Sequence, residues 1–241
     1  MPDSTLISPP QVTIPGWYGK LPGLGDFASR RLPADFITPW DTWLQDVIQS
    51  TREAIGDGWL SSYLTMPIWR FLVLPGLVTP TGWAGLVMPS VDRVGRYFPL
   101  TLAMEVASAA AVAHAVFNAA QWFAGLEDAA LAMLDTSRGP EDLDCLLSDL
   151  TFTPPPAVSV DLGLGAIQDL PSLEAFDVLV RTEALDAWAR QAGWKGLWWT
   201  RGRVNGDALV LACAALPTSD EFRALLESRP LTPEVSGPAV A

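Results

Sequence analysis

The chain has 241 residues, a formal net charge of -12, 49% hydrophobic residues and eleven tryptophans. That apolar content excludes a disordered chain, which lacks the area to offset its ordering entropy, and the acidity disfavours a nucleic-acid partner, whose phosphates need clustered Lys and Arg. Two cysteines, Cys145 and Cys213, are too few for a disulfide framework or a thiolate metal site, and fit a reduced, cytoplasmic setting.

Residues 1–15, MPDSTLISPPQVTIP, have neither a basic nor an apolar leader region and read as a flexible arm. GWYGKLP (16–22) reads as a short strand, joined by a Gly-rich turn to a second in DFASRRLP (26–33), together a hairpin. In the next segment Phe36, Trp40, Trp43, Leu44, Val47 and Ile48 recur with a 3.6-residue period. This predicts an amphipathic helix with Pro39 near its start, where a missing N–H is tolerated. After a short helical piece, GWLSSYLT, three apolar runs at 68–75, 82–89 and 97–106 are separated by Gly and Pro clusters, the pattern of an antiparallel meander.

The stretch 106–126 is uncharged and long enough to span a membrane. Its polar residues His114, Asn118 and Gln121 fall on one face, however, and Val112, Val116, Ala119, Ala120 and Phe123 on the other. That periodicity predicts an amphipathic helix over about 108–135 and no integral membrane segment. GPEDLDCLLSDL opens with Pro140 and two acids, the chemistry of a helix start. TFTPPPAVSVDLGLG is a loop, Leu173 to Ala192 a further amphipathic helix, and KGLWWTRG with DALVLACAALP a hairpin across Asn205-Gly206. SDEFRALLES closes the fold as a helix, with Ser219 as its cap and Glu221 and Glu227 exposed.

The expected fold class is therefore α/β of the α+β type, a mostly antiparallel sheet of five or more strands covered by helices. Its element order is two strands, a helix, three strands and two helices, with an added helix, hairpin and helix. One domain is expected over 16–228, its acidic, mostly helical part over 107–228, and a frayed tail over 229–241. The charge is uneven. The first hundred residues carry eight acidic and seven basic ones, the remainder nineteen and eight. An acidic second part either steers a basic partner or keeps the protein soluble.

The available chemistry is narrow. One histidine, His114, cannot assemble a His-rich metal site, and no nucleophile motif accompanies it. GKLPGLG (19–25) lacks the Gly-Lys-Ser/Thr of a phosphate loop, and GLG at 163–165 is an isolated turn. No metal and no cofactor is expected. Asp26, Asp41 and Asp92 are candidate acids or metal carboxylates. The competing reading has Asp26 and Asp92 accepting hydrogen bonds from Arg30, Arg31, Arg93 or Arg96, which fixes loops as charge-assisted pairs. A third reading makes the arginines a site for an anion or a phosphorylated partner. The tryptophans suit a core or an aromatic interaction surface.

Three stretches in order, GWYGKLPGLGDFASRRLPADFITPWDTWLQ, MPIWRFLVLPG and WAGLVMPSVDRVGRYFPLT, resemble the TagF (ImpM) family of bacterial type VI secretion accessory proteins. The resemblance is close over about 16–106 and faint to LWWT, LP and FRALL near the end. It implies a cytoplasmic, non-catalytic protein that represses the secretion apparatus after translation by engaging the forkhead-associated Fha component. It also implies an element order like that of longin or profilin-like folds. An anion-binding or phosphatase-like role, or a structural secretion subunit, is the alternative. The residues of these motifs expected to contact the partner or brace the motif are Lys20, Leu24, Asp26, Phe27, Arg30, Arg31, Trp40, Asp41, Arg70, Asp92, Arg93 and Arg96. Where the family often has a polar or basic residue before Gly-Asp-Phe, this chain has Gly23 and Leu24, which implies a more apolar contact.

Overall fold

A computed structural model describes residues 14–106, 120–150, 193–200 and 210–227. The first strands, β1 (Gly16–Gly19) and β2 (Ala28–Arg30), form the expected hairpin, with Trp17 opposite Arg30. Helix α1 (Ala34–Ile55) follows, and its buried residues include the predicted Phe36, Trp40, Trp43, Leu44 and Val47. Pro39 lies in its second turn rather than its first. A short helix α2 (Trp59–Leu64) leads into the meander β3 (Trp69–Val73), β4 (Gly82–Met88) and β5 (Leu100–Val106).

Beyond the meander come α3 (Ala120–Ala132) and α4 (Pro140–Ser148). Pro140 takes the first turn of α4, and the Asp142 carboxylate accepts the Gly139 N–H at 2.8 Å, closing one half of a capping box. The last elements are β6 (Gly196–Trp199), β7 (Val210–Cys213) and α5 (Ser219–Glu227). The cap of α5 is Thr218, not Ser219. Its hydroxyl accepts the Glu221 N–H at 3.3 Å while the Glu221 carboxylate accepts the Thr218 N–H at 2.7 Å, so Glu221 is half-buried rather than exposed. Glu227 is likewise half-buried. The helix expected over Leu173–Ala192, the start of that expected at 108–135, and His114 and Asn118 lie outside the described residues. Among the described residues no helix is long and apolar enough to cross a membrane.

All seven strands join one antiparallel sheet in the order β2-β1-β5-β4-β3-β6-β7. Side chains alternate across it, as the period of two requires. Trp17, Leu72, Leu86, Leu102 and Leu197 face α3 and α4, where they meet Phe123, Leu126, Leu143 and Leu147. Phe71, Trp83, Val87 and Trp198 face the other way, toward Phe36, Trp40 and Trp43 of α1 and Phe222 of α5. Helices on both faces explain why the strands are nearly continuous apolar runs rather than alternating ones.

Trp40 is the centre of the α1 face. Its ring lies 4.7 Å from that of Phe71 and stacks 5.9 Å from that of Trp198, and its Nε1 donates to Thr101 Oγ1 at 3.0 Å. Such aromatic pairs add about 0.5–1.5 kcal/mol each beyond area burial. Gly85 lies mid-sheet, where a Cβ would come 2.1 Å from the Leu102 carbonyl oxygen, so only glycine lets β4 and β5 approach there.

Candidate functional site

At one end of the sheet the β1–β2 loop (20–27) and the β4–β5 loop (89–99) lock together. Gly19 ends β1 at φ 136, where a Cβ would meet the Pro99 carbonyl oxygen at 2.1 Å. The two loops can therefore touch backbone to backbone. In the second loop Val91 bridges Tyr97, the Asp92 N–H donates to the Arg96 carbonyl at 3.0 Å, and Gly95 turns the chain at φ 85. The Arg93 N–H then donates to the Leu24 carbonyl at 2.7 Å, tying the loops across.

Asp92 is the hub. Its Oδ1 accepts the Val94 N–H at 3.0 Å and the Arg96 N–H at 2.9 Å, while Oδ2 accepts Lys20 Nζ at 2.9 Å and Arg96 Nε at 2.7 Å. The carboxylate is fully buried and Lys20 nearly so. Burial alone would push the Asp92 carboxyl up, but the bonds from the Arg96 amide, Lys20, the Arg96 guanidinium and the Val94 amide outweigh it and hold the group well below the usual carboxylate range. Asp92 stays an anion whose lone pairs are taken.

The surroundings are equally fixed. Ser90 Oγ donates to the Lys20 carbonyl at 2.7 Å, and the Tyr63 hydroxyl from α2 donates to the Ser90 carbonyl at 2.9 Å while accepting its N–H at 3.0 Å. Burial pushes the Tyr63 phenol well above its ordinary value, so it remains a donor. Lys20 Nζ lies 4.9 Å from the centre of the Phe27 ring, which stacks 5.9 Å from Tyr18 and meets Phe98 edge-on at 4.8 Å. Tyr18 donates to Asp41 Oδ1 at 2.5 Å. Burial and that carboxylate raise its phenol too.

The remaining motif residues go to three places. Arg93 and Val94 stand exposed at the turn, and Leu24 is half-buried against the α3–α4 core. Asp26 is exposed, accepts its neighbour Phe27's N–H at 2.8 Å, and reaches Arg96 only at 4.0 Å. The expected pairing of Arg30 and Arg31 with Asp26 or Asp92 is replaced by pairing with α4. Asp144 accepts Arg31 Nη2 at 2.8 Å and Trp17 Nε1 at 2.9 Å on Oδ1, with Arg30 Nε 3.3 Å from Oδ2 and Arg30 Nη2 3.4 Å from Glu141. Arg70 is buried in β3, where it pairs with Glu127 of α3 at 2.7 Å and lies 5.2 Å from the Phe123 ring centre.

Sequence reasoning missed Ser90, Tyr63, Glu127 and Asp144, because each bonds a residue at least 27 positions away. Among the described residues no group of three or more His, Cys, Asp or Glu could hold a metal ion. What the arrangement does is hold two loops as one rigid unit, with the Asp92 carboxylate turned inward and Phe27, Arg93 and Val94 turned out.

A family model, the TagF N-terminal domain, type VI secretion system-associated, matches residues 16–150, more than half of the 241-residue chain. The crystal structure of PA0076 from Pseudomonas aeruginosa PAO1 is 34% identical, with a TM-score of 0.70, over 92% of this chain and 99% of that one. No curated protein matches. The chain belongs to the TagF family and is type VI secretion-associated.

Proposed function

We propose that this TagF-family protein is a non-catalytic, cytoplasmic accessory factor that represses the secretion apparatus after translation, by binding a regulatory component such as the forkhead-associated Fha protein. The observation that carries the reading is the fate of Asp92. The one buried carboxylate of the SVDRVGR motif is spent on four internal donors, and Lys20 and most of the Arg96 guanidinium are spent on internal acceptors. A charged motif consumed in this way serves to hold a shape, and a rigid, preassembled surface lowers the ordering cost of binding. A general acid or base would need a free proton-accepting position within reach of a substrate.

The test is the amount of secreted tube protein in the medium of the source bacterium, with and without this gene. Repression predicts a clear rise on deletion at an unchanged intracellular level. No change, under conditions where the apparatus is active, would overturn it.

A further inference from the structure

Among the charges of the loop pair, only one cation is both exposed and unspent. Lys20 is buried beneath Phe27, and Arg96 is bound to Asp92 and, through Nη2, to the Gly25 carbonyl at 2.5 Å. Arg93 is exposed, and its guanidinium has no ion-pair or hydrogen-bond partner among the described residues. It lies across Gly25, where an added Cβ would sit 3.5 Å from Nη2. Beside it in sequence is Val94, 65% exposed, and across the loop contact is Phe27, 42% exposed. These are two of the large apolar side chains that the described surface leaves in water, and both lie on this tip.

The tip also has the wrong sign for its molecule. It carries Lys20, Arg93 and Arg96 against Asp26 and Asp92, a net positive unit on a chain of net charge -12. Residues 93–96 of the turn all stand exposed, and its shape is prefixed: Asp92 caps the turn from inside, and the Arg93 amide is pinned to the Leu24 carbonyl. One free guanidinium is not a cradle for a phosphate dianion, which calls for several converging donors. A single Arg flanked by apolar side chains on a rigid, exposed turn is instead the composition of a binding anchor that a partner's pocket receives.

We infer that Arg93, Val94 and Phe27 form the docking tip of this protein, and that its occupant is a protein partner presenting an acidic, apolar-lined concavity. Charge complementarity argues for that partner, since the tip carries a net positive charge on a chain whose net charge is -12. The inference rests on the binding role proposed above and names its site. Asp92, Lys20 and Arg96 shape the tip without touching the partner.

The experiment compares full-length wild type with Arg93→Glu and Val94→Asp for binding to the purified Fha-like protein of the same secretion system. Lys195→Glu, at the opposite end of the sheet and with the same charge change, is the control. Thermal melting accompanies each variant, and each is also used to complement the gene deletion in the secretion assay. The expected result is about tenfold or greater loss of affinity for both tip variants, with unchanged melting and an unaffected control. If wild type binds and the tip variants bind equally well, the docking site is wrong while the binding role stands. If wild type does not bind the Fha-like protein, that partner is wrong. The tip is then judged on complementation: loss of repression by Arg93→Glu but not by Lys195→Glu supports it, and full repression by Arg93→Glu overturns it.

Discussion

Asp92 and Asp144 both gather basic side chains near the β1–β2 hairpin, but they do so in opposite settings. Asp92 is sealed inside the loop pair and receives four donors, two of them backbone amides of its own turn. Asp144 sits on α4 with its side chain 27% exposed, and all its donors come from the far side of the chain: Arg31, Arg30 and the buried Trp17. The first is a local device that shapes a loop. The second is a long-range latch between α4 and the edge hairpin. The contrast teaches that the same Asp–Arg chemistry is worth very different amounts according to what water is left to replace it.

The sharpest way to break the comparison is Asp92→Ala. It leaves Lys20 buried without its counter-charge and two loop amides without an acceptor, and breaking a buried pair from one side is among the costliest single changes. The expected result is a melting temperature lower by roughly 10 °C. A drop of a degree or two would mean that water reaches the hub in solution.

Acid tests the same group without removing it. Because the Asp92 carboxyl is held below its ordinary 3.8, the ionised form stabilises the fold above that value, and the benefit is lost as pH falls below about 4. Asp92→Asn cannot show this. Its melting temperature should lie below wild type at about pH 6, with the gap narrowing as pH falls toward about 3. A gap independent of pH would contradict the depressed carboxyl.

Asp144→Ala comes next in size. Its half-exposed ion pairs are worth at most about 1 kcal/mol, and the buried Trp17 Nε1 left without an acceptor costs about 1–3 kcal/mol. Urea denaturation should show a loss near 2 kcal/mol. Raising salt to about 1 M should shrink that difference, because the exposed share is screened, while the Asp92→Ala penalty should hardly move.

The contrast also marks what could be read from the chain. Periodicity placed α1 and its buried face, apolar runs placed the meander, and Pro140 with its acids placed α4, because each of these signals is local. Asp92 with Arg96 was legible for the same reason, being four residues apart within one turn. Lys20 as the buried counter-ion, Asp144 for Arg30 and Arg31, and Glu127 for Arg70 were not legible. Their pairing depends on β1 lying beside β5 and on which helix covers which sheet face, and no spacing rule encodes that. Ser219 was a reasonable cap by residue type, and Thr218 won because its hydroxyl and Glu221 close a reciprocal pair one residue earlier.

The smallest expected effect separates backbone from side chain at the latch. Arg31 follows β2 at φ 62, in the left-handed region that a residue with a Cβ enters at a cost of about 1–2 kcal/mol. It is held there by Nε donating to the Pro15 carbonyl at 2.9 Å and by Nη2 bound to Asp144. Arg31→Ala and Arg31→Gly both lose those guanidinium contacts, so the difference between them isolates the conformation. Glycine removes the left-handed cost, and its looser unfolded chain takes back about 0.4–1 kcal/mol of that gain. The Gly variant should therefore be the more stable of the two by about 0.5–1 kcal/mol in urea denaturation. If the Ala variant were equal or better, residue 31 would not hold the left-handed conformation once its side chain is gone. The latch, rather than the turn, would then be what bends the chain at the end of β2.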